Sequence, residues 1–211
     1  MAKPTHEKFV LLVEGKDDEA VIYHLKRHAA IHQDAFRVKT KDGYSNLLDT
    51  LAVELEASEL ETLGIVVDAD SDLNARWESI RNRLRNLGYT TMPDRPQTQG
   101  IIVDEANKPS VGVWVMPNNQ LPGMLEDFVA LLIPTADNLW SKAKNCVNLL
   151  PEEERRFAEV DLAKAYMYTW LAWQKQPGTP MGAAINQRYL DPDRPIGKEF
   201  ITWVKRLFQV Q

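Results

Sequence analysis

The sequence predicts an α/β protein with a mainly parallel sheet flanked by helices and a helical C-terminal extension. Two apolar runs carry that reading: Val10-Leu11-Leu12-Val13 and Gly64-Ile65-Val66-Val67 are each long enough for a buried strand. Each passes at once into carboxylates, Glu14-Gly15-Lys16-Asp17-Asp18 after the first and Asp68-Ala69-Asp70-Ser71-Asp72 after the second. A helical pattern follows in both cases, the way a parallel sheet presents chemistry at its carboxyl edge.

The remaining elements follow in order. A strand near Lys8 to Val13 leads to a helix from Asp17 to His28, where Val21, Ile22 and Leu25 form a stripe at helical spacing. A short strand at Phe36 to Lys39 turns through Asp42-Gly43 into an amphipathic helix carrying Leu47, Leu48, Leu51, Val53 and Leu55. After the strand that delivers the aspartates, Leu73 to Leu87 reads as a helix stopped by Gly88. Gly100 to Val103 and Val111 to Met116 read as a hairpin around Asn107-Lys108-Pro109, and Met124 to Leu132 as a helix ended by Pro134. The remainder reads as helical, including Val160 to Gln174. From Glu199 to Phe208, Phe200, Trp203, Val204, Leu207 and Phe208 fall at core-facing spacing. Residues 1–135 are expected to form the α/β unit and 136–211 a helical extension packed on the same domain.

The chain of 211 residues, 44% of them hydrophobic, has enough material for a real core. Its single cysteine, Cys146, excludes an intrachain disulfide and a cysteine-based zinc ribbon, and fits a reducing cytoplasm. No apolar stretch approaches the ~20 residues that cross a bilayer, so no membrane partner is expected. A net charge of −5 argues against a surface that is basic throughout, because phosphate neutralisation needs clustered Lys and Arg. Two local patches remain, Arg76, Arg81, Arg83 and Arg85 after the aspartates and Arg188, Arg194 and Lys198 near the C-terminus, each also readable as a solvated helix face.

Continued strand alternation would point Asp68 and Asp70 to one side, a crowding of negative oxygens that a hard cation offsets. The expected metal is Mg²⁺ or Mn²⁺, with Asp68 and Asp70 as ligands and Asp72 as an outer or substrate-side partner. The alternative for one of these acids is a cap on the Leu73 helix. Glu126 and Asp127, in the first turn of the later helix, open a second metal position, since two ions ~3.5–4 Å apart clamp a phosphodiester; the alternative is favourable placement at a helix N-terminus. Glu14 at a strand end, beside Gly15, leaves the backbone open to a substrate phosphate, with Lys16 and Arg76 as further substrate contacts. His24, His28 and His32 recur every four residues but lack an HExxH or cysteine partner, so they read as a partly exposed face. Trp170 and Trp173 read as core, with base stacking as the alternative.

Glu14-Gly15 after an apolar strand, Asp18 four residues beyond Glu14, and Asp68-x-Asp70-x-Asp72 after a later strand resemble the Toprim domain of topoisomerases, primases and the overcoming-lysogenization-defect (OLD) nucleases. Trp114-Val115-Met116-Pro117-Asn118-Asn119 and Gly123-Met124-Leu125-Glu126-Asp127 resemble the DUF3226 group of small Toprim-related proteins, over most of the chain. The resemblance implies Glu14 as general base or metal ligand and Asp18 as a further ligand. Lys164 resembles a late lysine of OLD-type domains that stabilises phosphate charge, with a solvated lysine as the alternative. The implied activity is a metal-dependent nuclease acting on DNA or RNA. The rival is a non-catalytic binding module working with a partner ATPase, because no GxxxxGK[ST] occurs here. An RNA-processing nuclease is a third reading. A topoisomerase is disfavoured, since its tyrosine nucleophile needs additional domains.

Overall fold

The computed structural model describes residues 8–210. Five strands, β1 (Phe9–Val13), β2 (Arg37–Thr40), β3 (Thr62–Asp68), β4 (Ile101–Val103) and β5 (Ser110–Met116), form one sheet in the order β2-β1-β3-β5-β4. The first four in that order run parallel, and β4 pairs antiparallel with β5 as the expected hairpin. Because β2 and β3 lie on opposite sides of β1, the chain reverses its direction of growth there. The crevice beyond the carboxyl ends of β1 and β3 is therefore the switch point at which open α/β sheets bind ligands.

Helices α1 (Lys16–His28), α2 (Tyr44–Leu55), α3 (Leu73–Asn86), α4 (Leu125–Ala130), α5 (Asn138–Asn148), α6 (Leu162–Ala172), α7 (Met181–Asn186) and α8 (Pro195–Phe208) cover the sheet. Alternation along the strands sends successive residues to two cores. Leu11, Val13, Val66, Trp114 and Met116 join residues of α1, α4, α6, α7 and α8 in one core. Val10, Leu12, Ile65, Val67, Val113 and Val115 join α2 and α3 in the other. Burial on both faces explains why the strands read as continuous apolar runs.

Helix α8 packs directly on β3 and β5. Its Leu207 rests against Gly112, where an added Cβ would come within 2.5 Å of the leucine side chain. Trp203 donates its indole N–H to the Ile101 carbonyl at 3.1 Å. Phe200 meets Trp114 edge-to-face with centroids 5.3 Å apart.

Several boundaries differ from expectation. Strand β3 begins at Thr62, earlier than the apolar run shows, because Thr62 and Leu63 pair with β1 and β5. Helix α8 begins at Pro195, where proline fits the first turn since its missing N–H would have no intrahelical partner there. Helices α5 and α7 were not delimited by pattern: α5 buries only Ala143 and Val147, and α7 is six residues long. His32 lies beyond α1 and caps a single 3₁₀ turn, accepting the Asp34 N–H, so the three histidines do not share one helix face.

Candidate functional site

Strand β1 ends at Val13 and strand β3 at Asp68, and their parallel pairing brings Glu14 beside Asp68 as the sequence predicts. Glu14 Oε1 accepts the Asp68 backbone N–H at 2.9 Å. Helix α1 starts immediately afterwards with Gly15 at its N-cap, and Asp18 Oδ2 reaches back to accept the Gly15 N–H at 3.0 Å. That bond turns the buried Asp18 side chain toward the strand ends, while its Oδ1 has no partner among the described residues.

The other side of the site comes from distant chain. After β5, Asn119 Oδ1 accepts the Val115 N–H at 2.7 Å and closes the turn. Gly123 and Asp70 then exchange both backbone hydrogen bonds, at 2.7 and 2.9 Å, which anchors the start of α4 against the aspartate segment. Gly123 has φ +138, and a Cβ there would stand 2.7 Å from Asp127 Oδ2, so only glycine suits this turn. Asp127 caps α4 through the Met124 N–H at 2.9 Å, leaving Glu126 as the acid buried in the first turn. Helix α6 contributes Lys164.

These elements enclose a cleft of about 370 Å³ lined by Glu14, Gly15, Lys16, Asp17, Asp18, Asp42, Gly43, Asp68, Leu125, Glu126 and Lys164. A larger hollow of about 840 Å³ lies between α1 and β2, but none of the strand-end acids lines it. Its buried Lys26 donates to the carbonyls of Gln33 and Phe36 at 3.1 and 3.0 Å, bracing the loop between α1 and β2. The smaller cleft is therefore where Glu14, Asp18 and Asp68 converge.

Its electrostatics are unusual for exposed-edge acids. Burial, reinforced by Asp18, Glu14 and Glu126, pushes the Asp68 carboxyl up to about 9, and Asp68 Oδ1 has no hydrogen-bond partner among the described residues. Burial, with Glu14 and Glu126 adding repulsion, pushes Asp18 up to about 7. Burial also raises Glu14 and Glu126, against the pull of the Asp68 N–H on the first and of Lys164 on the second. For Lys164, burial acts against the ammonium, but Asp161, Glu126 and Asp68 outweigh it and raise its pKa.

The candidate set divides. Glu14, Gly15, Lys16, Asp18, Asp68, Glu126 and Lys164 share the cleft. Asp70 and Asp72 do not line it. Strand alternation stops at Asp68, because Asp70 takes a left-handed φ of 52° and its carboxylate pairs with Arg76. Arg76 is held in turn with its guanidinium 3.5 Å from the centre of the Tyr44 ring. Asp72 is the N-cap of α3, accepting the Ala75 N–H at 3.0 Å, which is the capping alternative raised by its position. The other arginines of α3 are paired as well: Arg81 and Arg85 with Asp94, and Arg83 with Asp49, at 3.2–3.3 Å.

The donors suit a hard cation: they are carboxylate oxygens, two of them buried without a partner. As the side chains lie, no group of three or more His, Cys, Asp or Glu among the described residues is arranged to hold an ion. A site of this kind would complete its coordination with water and substrate oxygen.

Two side chains at the cleft escaped sequence reasoning. Asp17 lines the cleft, and Tyr168 of α6 donates its hydroxyl to Asp17 Oδ2 at 3.1 Å. Burial, with Asp17 and Glu126 nearby, pushes that phenol up to about 12. The available signal was that Tyr168 lies one helical turn beyond Lys164. Trp170 is buried, donating to Asp137 at 3.1 Å, whereas Trp173, expected in the core, is 42% exposed.

No curated protein and no solved structure matches the chain. A family model described as "Protein of unknown function (DUF3226)" matches residues 8–209. Since that match takes in the sheet, the cleft and the C-terminal helices together, the chain belongs to the DUF3226 family.

Proposed function

We propose that this protein is a metal-dependent phosphodiesterase acting on nucleic acid, a nuclease of Toprim type related to the OLD enzymes. The observation that carries the reading is the pair of unpartnered buried oxygens, Asp18 Oδ1 and Asp68 Oδ1, in one cleft with Glu126 and Lys164. Buried carboxyl oxygens without partners cost stability unless a ligand satisfies them. Bound Mg²⁺ or Mn²⁺, held by Asp68 and Asp18 with Glu126 adjacent, would supply Lewis-acid charge for phosphoryl chemistry.

The chain's own groups do the rest. Lys164 remains charged and neutralises a non-bridging phosphate oxygen. Gly15, at the N-cap of α1, gives the substrate room to approach the backbone, and Lys16 flanks that approach. Glu14, with its pKa raised by burial, accepts a proton from water as the new O–P bond forms and the ester P–O bond breaks; the leaving oxygen takes its proton from solvent.

A second reading, a non-catalytic module working with a partner ATPase, draws on one specific observation. Glu14 accepts the Asp68 N–H, a bond that also serves simply to join two strand ends. Cleavage separates the readings. Purified protein is incubated with labelled single- and double-stranded DNA and RNA in Mg²⁺ or Mn²⁺, beside Glu14→Gln and Asp68→Ala. The nuclease reading expects cutting by wild type and a loss of about 10²–10⁴-fold in Glu14→Gln with substrate affinity preserved. If wild type cuts no substrate with either metal, the binding module becomes the better account.

A further inference from the structure

We infer that Tyr168 is a stacking platform at the mouth of the cleft, and that the substrate class is therefore an unpaired nucleotide strand rather than an intact duplex. The inference rests on the phosphodiesterase reading above and names the substrate of that site. Tyr168 and Lys164 stand four residues apart on α6, so they lie on one helix face. The hydroxyl of Tyr168 is tied to Asp17, a cleft-lining residue, at 3.1 Å, yet 46% of the residue remains exposed. Its position on α6 sets the ring beside the lysine that takes the phosphate, and nearly half of the residue is open to solvent.

Charge and size point the same way. The cleft places Glu14, Asp18, Asp68 and Glu126 around Lys164, in a chain of net charge −5, so attraction of phosphates supplies little affinity. Base–aromatic stacking adds affinity that does not come from phosphate charge, and it tolerates any base. At about 370 Å³ the cleft lies near the lower end of sites that enclose a small molecule. It fits one nucleotide, whose base meets Tyr168 only when it is free of its complement.

Binding is measured by fluorescence anisotropy with labelled single-stranded and blunt duplex oligonucleotides, using Ca²⁺ in place of Mg²⁺, and cleavage is measured separately in Mg²⁺ and Mn²⁺. Tyr168→Ala should weaken single-strand binding about 5- to 100-fold, while Tyr168→Phe, which keeps the ring, stays within about twofold of wild type. Thermal melts of both variants control for folding. Equal losses in Tyr168→Ala and Tyr168→Phe would assign the effect to the hydroxyl and overturn the stacking role, as would an unchanged Tyr168→Ala. Duplex cut as fast as single strand would overturn the substrate class while leaving the nuclease reading intact. Absence of both binding and cleavage would remove that reading and this inference with it.

Discussion

Asp68 keeps its proton in the folded protein up to about pH 9, whereas an ordinary aspartate releases it near 3.8. A carboxyl with a raised folded-state pKa contributes stability that is fully present below its unfolded value and lost as pH rises through its folded value. In metal-free protein this contribution declines from about pH 4 to about pH 9, with Asp18 adding a decline that ends near pH 7. Asp68→Asn removes the titrating group, so the variant should gain on wild type with rising pH and be more stable by about 1–3 kcal/mol at pH 8. Urea unfolding at pH 5, 7 and 8 in EDTA measures this, and parallel pH profiles would rule out Asp68 as the source. Cation binding requires the ionised form, so Mg²⁺ affinity of wild type should rise between pH 7 and 9, with proton release visible by calorimetry. Glu14, Asp18 and Asp68 were legible in the sequence because each sits within a few residues of an apolar strand. The conformation of Asp70 was not, because it depends on a bridge to Gly123 more than 50 residues away.

At the scale of elements, the acids after β3 divide their work by geometry. Asp68 closes the strand and faces the cleft, Asp70 holds Arg76 against Tyr44, and Asp72 caps α3. Asp72→Ala should therefore cost about 0.5–2 kcal/mol in unfolding free energy while leaving calorimetric titration with Mn²⁺ unchanged. A parallel loss of Mn²⁺ binding would show Asp72 acting on the metal as well as on the helix. The strands, α1 to α3 and the seam of α8 were readable because their patterns are local and strongly periodic. Helices α5 and α7 were not, since one buries few side chains and the other is too short to show a period.

Across the whole molecule, the C-terminal helices complete both the core and the site. Phe200, Trp203, Val204 and Leu207 of α8 and Met167 and Trp170 of α6 share one buried cluster with Leu11, Val66 and Trp114 of the sheet. A fragment ending at residue 135 would expose that sheet face and lack Lys164 and Tyr168, so it should show no cooperative thermal transition by circular dichroism. A sharp melt of the fragment would mean that the α/β part folds without its extension. None of the described helices is long and apolar enough to cross a membrane. By itself the sequence determined the class of fold, the parallel neighbours β1 and β3, and the meeting of Glu14 with Asp68, because strand runs and strand-end acids are written in adjacent residues. Only the tertiary structure decided that Glu126 and Lys164 join those acids, that Asp70 and Asp72 stand aside, and that Tyr168 reaches Asp17 across 151 residues of chain. Those contacts arise from packing between elements remote in sequence, and no local pattern encodes which remote side chains packing will bring to one edge.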